Sequence, residues 1–225
     1  MIYRAIIFDL DGTLLDTLKD LAFSVNAVLQ EKGYNEHPVD AYRFFVGDGI
    51  ETLVRRAFPD DKADDLDFPE LVKAVKEEYR KRWADHTLPY PGIKEMLDYF
   101  EGSGIPKAIF SNKPHEFTTL TVDKLLSRWH FAVVQGIEDG VPKKPDPAGA
   151  LKVASIMGVK PEEIVYLGDT ATDMKTAVTG NFFPVGALWG FRPADELMEA
   201  GASMLAEKPQ DLMTLFDKTE HVNNN

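Results

Sequence analysis

No cysteine occurs among the 225 residues, which excludes disulfides, a thiol nucleophile and thiolate-held metal centres. No apolar run approaches the ~20 residues that cross a bilayer, and the N-terminus lacks the basic and long apolar segments of a secretory signal. The expected setting is therefore the reducing cytoplasm, with no membrane partner. Positive charge is scarce beside negative: 25 Lys and Arg face 37 Asp and Glu, for a net charge of −12. Such a field repels a nucleic-acid backbone on average, so no nucleic-acid partner is expected, and an anionic ligand needs a local cluster of cations to bind. The five histidines, His37, His86, His115, His130 and His221, show no metal-ligand spacing and receive no role. No repeat or low-complexity tract is present, and "EHVNNN" at the end is read as a frayed tail.

What is present is a chain long enough to bury a sizeable core, and a first apolar run that ends in an unusual way. In "IIFDLDGTLLD" (6–16) a strand-like segment gives way to two aspartates, Asp9 and Asp11, one residue apart. Alternation puts residues i and i+2 of a strand on one side. Two carboxylates held so close repel each other unless a cation lies between them or they take different jobs. The plainer reading is an Asp-Gly turn, for which one aspartate suffices.

Further short runs rich in Ile, Val and Phe follow at 107–111, 131–136, 163–169 and 182–188, with a weaker one at 203–207, each separated by a segment of helical period. That alternation predicts an α/β fold, a parallel sheet with helices on both faces. Residues 16–85 break the rhythm. "LKDLAFSVNAVLQEKG", "VDAYRFFVGDGIETLVRRAF" and "FPELVKAVKEEYRKRWADH" all carry apolar positions at helical spacing and no strand signal. The expected organisation is a core of 1–15 and 86–225 with an inserted helical domain at 16–85. The acidic "DDKADDLD" (60–67) lacks the central glycine and terminal glutamate of a calcium loop and is read as a solvated connection.

In open parallel sheets ligands bind beyond the carboxyl ends of the strands. The first strand ends in Asp9 and Asp11, the second in "SNKP" with Ser111 and Asn112, and the fourth in "GDTATD" with Asp169 and Asp173. "PKKPDP" adds Lys143 and Lys144 ahead of a Pro-x-Pro turn. Singly these have structural explanations, as N-caps, surface charge or turn residues.

Together, "FDLDGTLLDT", "FSNKP", "KKPDP" and "YLGDTATD" resemble the four ordered motifs of the haloacid dehalogenase-like (HAD) hydrolases, over essentially the whole chain. The resemblance implies a Rossmann-like core with a C1-type helical cap. It implies a phosphatase in which Asp9 attacks phosphorus to form an aspartyl-phosphate and Asp11 acts as general acid and then base. Gly12, Thr13, Ser111, Asn112 and Lys144 hold the phosphoryl group, Lys144 being chosen over Lys143 because it directly precedes Pro-x-Pro. Mg²⁺ is held by Asp9, the backbone carbonyl of Asp11 and Asp169, with Asp173 orienting Lys144 or a metal-bound water. An aspartate at 11 argues against dehalogenation, and Thr13, where β-phosphoglucomutase relatives usually carry a bulkier aliphatic residue, argues for hydrolysis.

The segments "FFVGDGIETLVRRAF" and "GALWGFR" resemble parts of bacterial phosphoglycolate phosphatases, with Asp48 where asparagine is typical. Phosphoglycolate is thus the leading substrate, with pyrophosphate, sugar phosphates or a phosphomutase reaction as alternatives and a non-catalytic binding protein as the rival from another class. Gly47 and Gly49 would let the cap backbone approach the substrate, and Arg43, Arg55, Arg56 and Arg192 are candidates to grip its carboxylate. Asp48 would oppose an anionic substrate unless it points away. The partner is a small phosphorylated metabolite, and the protein a monomer or homodimer.

Overall fold

The computed structural model describes residues 3–59 and 66–217, so most of the acidic 60–67 connection and the whole C-terminal tail at 220–225 lie outside the described residues. Six parallel strands form the sheet in the order β5-β4-β1-β6-β7-β8. They are β1 (Ala5–Phe8), β4 (Lys107–Pro114), β5 (Val133–Ile137), β6 (Ile164–Gly168), β7 (Phe183–Ala187) and β8 (Met204–Ala206). Helices α4 (Ile93–Gly102), α5 (His115–Leu125), α6 (Ala148–Met157) and α7 (Ala171–Thr179) join them. Near the end, α8 (Ala194–Glu199) precedes β8 and α9 (Met213–Asp217) follows it.

Every residue of β1 and β6 is buried. Ile6, Phe8, Val165 and Leu167 face one apolar cluster and Ala5, Ile7, Ile164 and Tyr166 the other. This two-sided burial explains why the strands read as continuous apolar runs. From β1 the chain moves outward through β4 and β5, then returns to build β6, β7 and β8 on the opposite side. The order therefore reverses at β1, and a crevice opens beyond its carboxyl end.

Between β1 and β4 the chain leaves the sheet. Strands β2 (Leu15–Asp16) and β3 (Leu88–Pro89) pair antiparallel, Leu15 with Pro89 and Asp16 with Leu88. What lies between them is helical among the described residues: α1 (Leu18–Glu31), a 3₁₀ segment (Val39–Phe44), α2 (Ile50–Ala57) and α3 (Phe68–Arg82). These elements share a buried cluster that includes Leu21, Val25, Tyr42, Leu53, Val75 and Tyr79. Within it the Tyr42 hydroxyl donates to Asn26 Oδ1 over 2.6 Å, and Asn26 Nδ2 donates to the His37 carbonyl over 2.8 Å.

At the base of this insert the buried Asp20 of α1 accepts hydrogen bonds from the backbone of the returning chain. The His86 and Thr87 N–H groups reach its carboxylate at 2.9 to 3.1 Å, the Thr87 hydroxyl at 2.7 Å, and His86 Nδ1 lies 2.8 Å away.

Two sequence expectations need correction. Residues 39–58 do not form one helix: Gly47 and Gly49, at φ 120° and 89°, break it into the 3₁₀ segment and α2. Both values lie where side chains other than glycine are strained. The second core strand is longer than 107–111, because β4 carries "SNKP" inside it and runs to Pro114, with its register to β5 shifting between Phe110 and Pro114.

Candidate active site

The carboxyl ends of β1, β4 and β6 bring the polar motif residues to one place. Asp9 follows β1 directly and Asp169 follows β6; both are buried, as is Asp173 in the first turn of α7. One carboxylate oxygen from each of the three lies within 4.8 Å of the others. A helix N-terminus contributes to holding Asp173, whose Oδ2 accepts from the Thr170 backbone N–H and hydroxyl in a capping box.

Lys144 enters this cluster as the counter-charge. Its ammonium donates to Asp173 Oδ1 over 2.6 Å and lies 2.8 Å from Asp9 Oδ1. Burial alone would push the ammonium down, but Asp173 and Asp9 outweigh it and hold the group charged well above its ordinary range. Lys143, by contrast, points outward and pairs with Glu51 of α2. Asp169 is pushed well above the usual carboxylate range by burial and then by Asp173 and Asp9. Asp169 Oδ1 accepts from the Thr13 hydroxyl at 2.9 Å, and Oδ2 from the Phe191 N–H at 2.8 Å.

The residues present fit a hard divalent cation. Asp9 Oδ1 is buried and makes no hydrogen bond, only the ion pair with the Lys144 ammonium 2.8 Å away. A buried carboxylate oxygen with no hydrogen bond, within 4.8 Å of oxygens from two further carboxylates, is the donor set that such a cation takes.

Gly12 and Thr13, expected among the phosphate ligands, are engaged otherwise. Their N–H groups close the turn onto Leu15 O at 2.8 Å and Leu10 O at 3.3 Å. A Cβ on Gly12 would sit 2.2 Å from Asp169 Oδ2, so the turn approaches that carboxylate only because it has none. Ser111 and Asn112 are buried at the cluster's edge. The Asn112 side chain ties two loops together, donating to Lys144 O and to Gly47 O at 3.1 Å and accepting from the Lys144 N–H at 2.8 Å.

Asp11 is engaged by a residue that sequence reasoning did not single out. Lys113 donates to both Asp11 carboxylate oxygens, at 3.0 and 3.1 Å, and to the Tyr79 hydroxyl at 2.7 Å. The i, i+2 rule that paired Asp9 with Asp11 also pairs Ser111 with Lys113 once β4 is extended, and that was the available signal.

A cavity opens between this edge and the insert. Asp9, Asp11, Ser111 and Lys113 line its core side, and Leu21, Val46, Ile50, Leu53 and Phe117 give it apolar walls. Gly47 and Gly49 line it as well, and among the described residues Lys113 is the one cation in the lining. None of the four arginines faces it. Arg43 donates to Gly190 O at 3.0 Å, Arg192 to Val46 O at 3.1 Å and Phe44 O at 3.3 Å, and Arg55 lies over the Phe68 ring. Arg56 pairs with Asp48 at 2.6 Å, and Thr172 Oγ1 donates to the same carboxylate at 2.6 Å. Burial would raise the Asp48 carboxyl, but these hydrogen bonds and the Arg56 and Arg192 charges hold it below the usual range. Asp48 thus points away from the cavity, and Arg43, Arg192 and Asp48 all fasten the insert to the core.

This fold and this edge define a class. Residues 6–185 match the haloacid dehalogenase-like hydrolase family, to which the chain belongs. It is 30% identical to a phosphoglycolate phosphatase of Chromobacterium violaceum, over 95% of this chain and 96% of that protein. A phosphoglycolate phosphatase of Aquifex aeolicus is also 30% identical, over 95% and 97%. A solved structure from Lactobacillus delbrueckii subsp. bulgaricus superposes with a TM-score of 0.88 at 26% identity, covering 96% of this chain and 99% of that one.

Proposed function

We propose that the chain is a Mg²⁺-dependent phosphatase of small phosphorylated metabolites, with phosphoglycolate as the leading substrate. The observation that carries this reading is the convergence of Asp9, Asp11, Lys144 and Asp169 at one sheet edge, opening on a small cavity roofed by the insert. The relatives named phosphoglycolate phosphatase, similar over nearly their full length, support the substrate.

Asp9 is the nucleophile, attacking phosphorus in line and splitting hydrolysis into two steps. Asp11 protonates the departing oxygen in the first step and takes a proton from water in the second. Lys144, the Ser111 hydroxyl and the Asn112 backbone N–H hold the phosphoryl oxygens, and phosphoryl transfer depends chiefly on such positioning and charge neutralisation. Asp9, the Asp11 carbonyl and Asp169 would hold Mg²⁺, which when bound neutralises charge on the phosphoryl oxygens. Asp173 fixes Lys144, while the Thr13 hydroxyl holds Asp169 and Gly12 leaves room for that carboxylate.

Residues 16–85 form a cap domain on a core of 1–15 and 86–225, excluding water and admitting the leaving group. The apolar walls favour a small organic leaving group over the dense charge of pyrophosphate. The enzyme works in the cytoplasm as a monomer or homodimer.

Phosphate release from phosphoglycolate, pyrophosphate, hexose phosphates and nucleoside monophosphates, with and without Mg²⁺, tests the reading. We expect a Mg²⁺-dependent preference for phosphoglycolate of about a hundredfold in kcat/KM, worth about 2.7 kcal/mol in the transition state. Flat, slow rates across the panel refute the substrate, and no release at all refutes the phosphatase.

A further inference from the structure

We infer that Tyr79 of the insert reads the leaving group: its hydroxyl donates a hydrogen bond to an acceptor oxygen on a short organic leaving group, the carboxylate in the case of phosphoglycolate. The inference rests on the phosphatase reading above and names a specificity residue within that site.

Tyr79 stands on the face of α3 that also carries Leu71 and Val75, and all three are buried. Their i, i+4 spacing anchors the ring in the insert's core, and Phe117 of α5 packs edge-on against it with ring centres 5.0 Å apart. A buried tyrosine has an apolar body and a polar tip, and the tip normally finds its partners. Here only one side of the tip is matched. The hydroxyl accepts from the Lys113 ammonium over 2.7 Å, and no described residue accepts the proton that it can itself give.

Lys113 does not serve in its place. An ammonium has three protons and no acceptor capacity, and those of Lys113 go to Asp11 Oδ1, Asp11 Oδ2 and Tyr79. Its charge is answered by the Asp11 carboxylate at 3.0 Å. What Lys113 adds is polarisation, because a hydroxyl that accepts from a cation becomes a stronger donor.

Tyr79 lines the same cavity as Asp9 and Asp11, with Leu21, Val46, Ile50 and Leu53 as apolar walls beside it. Against such walls a leaving-group oxygen that lacks a donor loses its hydration without return. The reach is short, since a single ammonium separates the Tyr79 hydroxyl from Asp11 at the phosphoryl end. An acceptor one carbon removed from the ester oxygen fits that span.

The test compares wild type with Tyr79→Phe, which removes one oxygen, in the presence of Mg²⁺. Values of kcat/KM are measured on phosphoglycolate and on ethyl phosphate, whose leaving group has no second oxygen. Inhibition constants are measured for 3-phosphonopropionate, in which a methylene replaces the ester oxygen of phosphoglycolate, and for propylphosphonate, which also lacks the carboxylate. The phosphonates report binding alone, with no bond broken.

Tyr79→Phe should lose about tenfold or more on phosphoglycolate, the scale of one hydrogen bond to a charged acceptor, and bind 3-phosphonopropionate more weakly by a similar factor. Ethyl phosphate and propylphosphonate should change by less than about threefold. A loss shared equally by the compounds with and without the carboxylate overturns the inference in favour of a structural role for Tyr79. A Tyr79→Phe protein that matches wild type on all four compounds overturns it as well. Wild-type protein inert to both esters refutes the phosphatase reading itself and this inference with it.

Discussion

Replacing Asp20 by alanine should destabilise the protein by about 3 kcal/mol, although Asp20 belongs to no motif. The carboxylate is fully buried, and so is Thr87, whose N–H and hydroxyl both donate to it. The His86 side chain is 46% exposed, so water can replace its ring's share, and its part-buried N–H is left out of the count. Each buried donor left without an acceptor costs about 1–3 kcal/mol. Two such donors give about 2–6 kcal/mol, and because the hydroxyl can rotate in search of another acceptor the lower half of that range applies. For a chain of this length each kcal/mol lowers Tm by about 2–4 °C, so Asp20→Ala should melt roughly 6–12 °C lower. Urea unfolding followed by circular dichroism measures the difference directly, with Lys19→Ala on the exposed side of α1 as a control expected within about 0.5 kcal/mol of wild type. An Asp20→Ala protein within 1 kcal/mol of wild type would show that the clamp on the returning chain contributes little and that the reasoning is wrong.

Two further predictions concern the site and its attachment. Asp9→Asn should keep its far-ultraviolet circular dichroism yet lose at least about ten-thousandfold in kcat, since the amide is no nucleophile; turnover near the wild-type rate would remove Asp9 from that role. Asp48 has a lowered folded-state pKa, so its contribution to stability is present above the unfolded value near 3.9 and is lost as pH falls through the folded one. Asp48→Asn should therefore be less stable than wild type at pH 6, with the gap closing as pH falls below the unfolded value; a gap that widens on acidification contradicts the assignment.

The parts that were readable in the sequence share a property: their information is local. The apolar runs of β1 and β6 announce themselves because both faces are covered, so four or five consecutive residues must all be apolar. Asp9, Asp11 and Asp169 stand at the ends of those runs, where a ligand-binding edge has to be. The pairings that cross between distant segments left no such trace. Asp20 meets Thr87 at a separation of 67 residues and Arg192 meets Val46 at 146. An arginine that will bind a backbone carbonyl looks the same in sequence as one that will bind a substrate carboxylate. Lys113 stood within a quoted motif and was still passed over, because ending the strand at Ser111 removed the alternation that places both side chains on one side of β4.

The pairing of β2 with β3 bears on how such a protein can change over time. Leu15 faces Pro89 and Asp16 faces Leu88, so the chain departs from the sheet and comes back one strand spacing away, about 5 Å. Everything between those two points could be shortened, lengthened or exchanged without altering where the core's own segments begin and end, and joining the ends directly would need only a tight turn. Selection can therefore act on the roof and the chemistry as separate inheritances. A replacement roof must still meet the core's own reaching groups: an acceptor where Lys113 donates to Tyr79, and carbonyls where Arg192 and Asn112 donate.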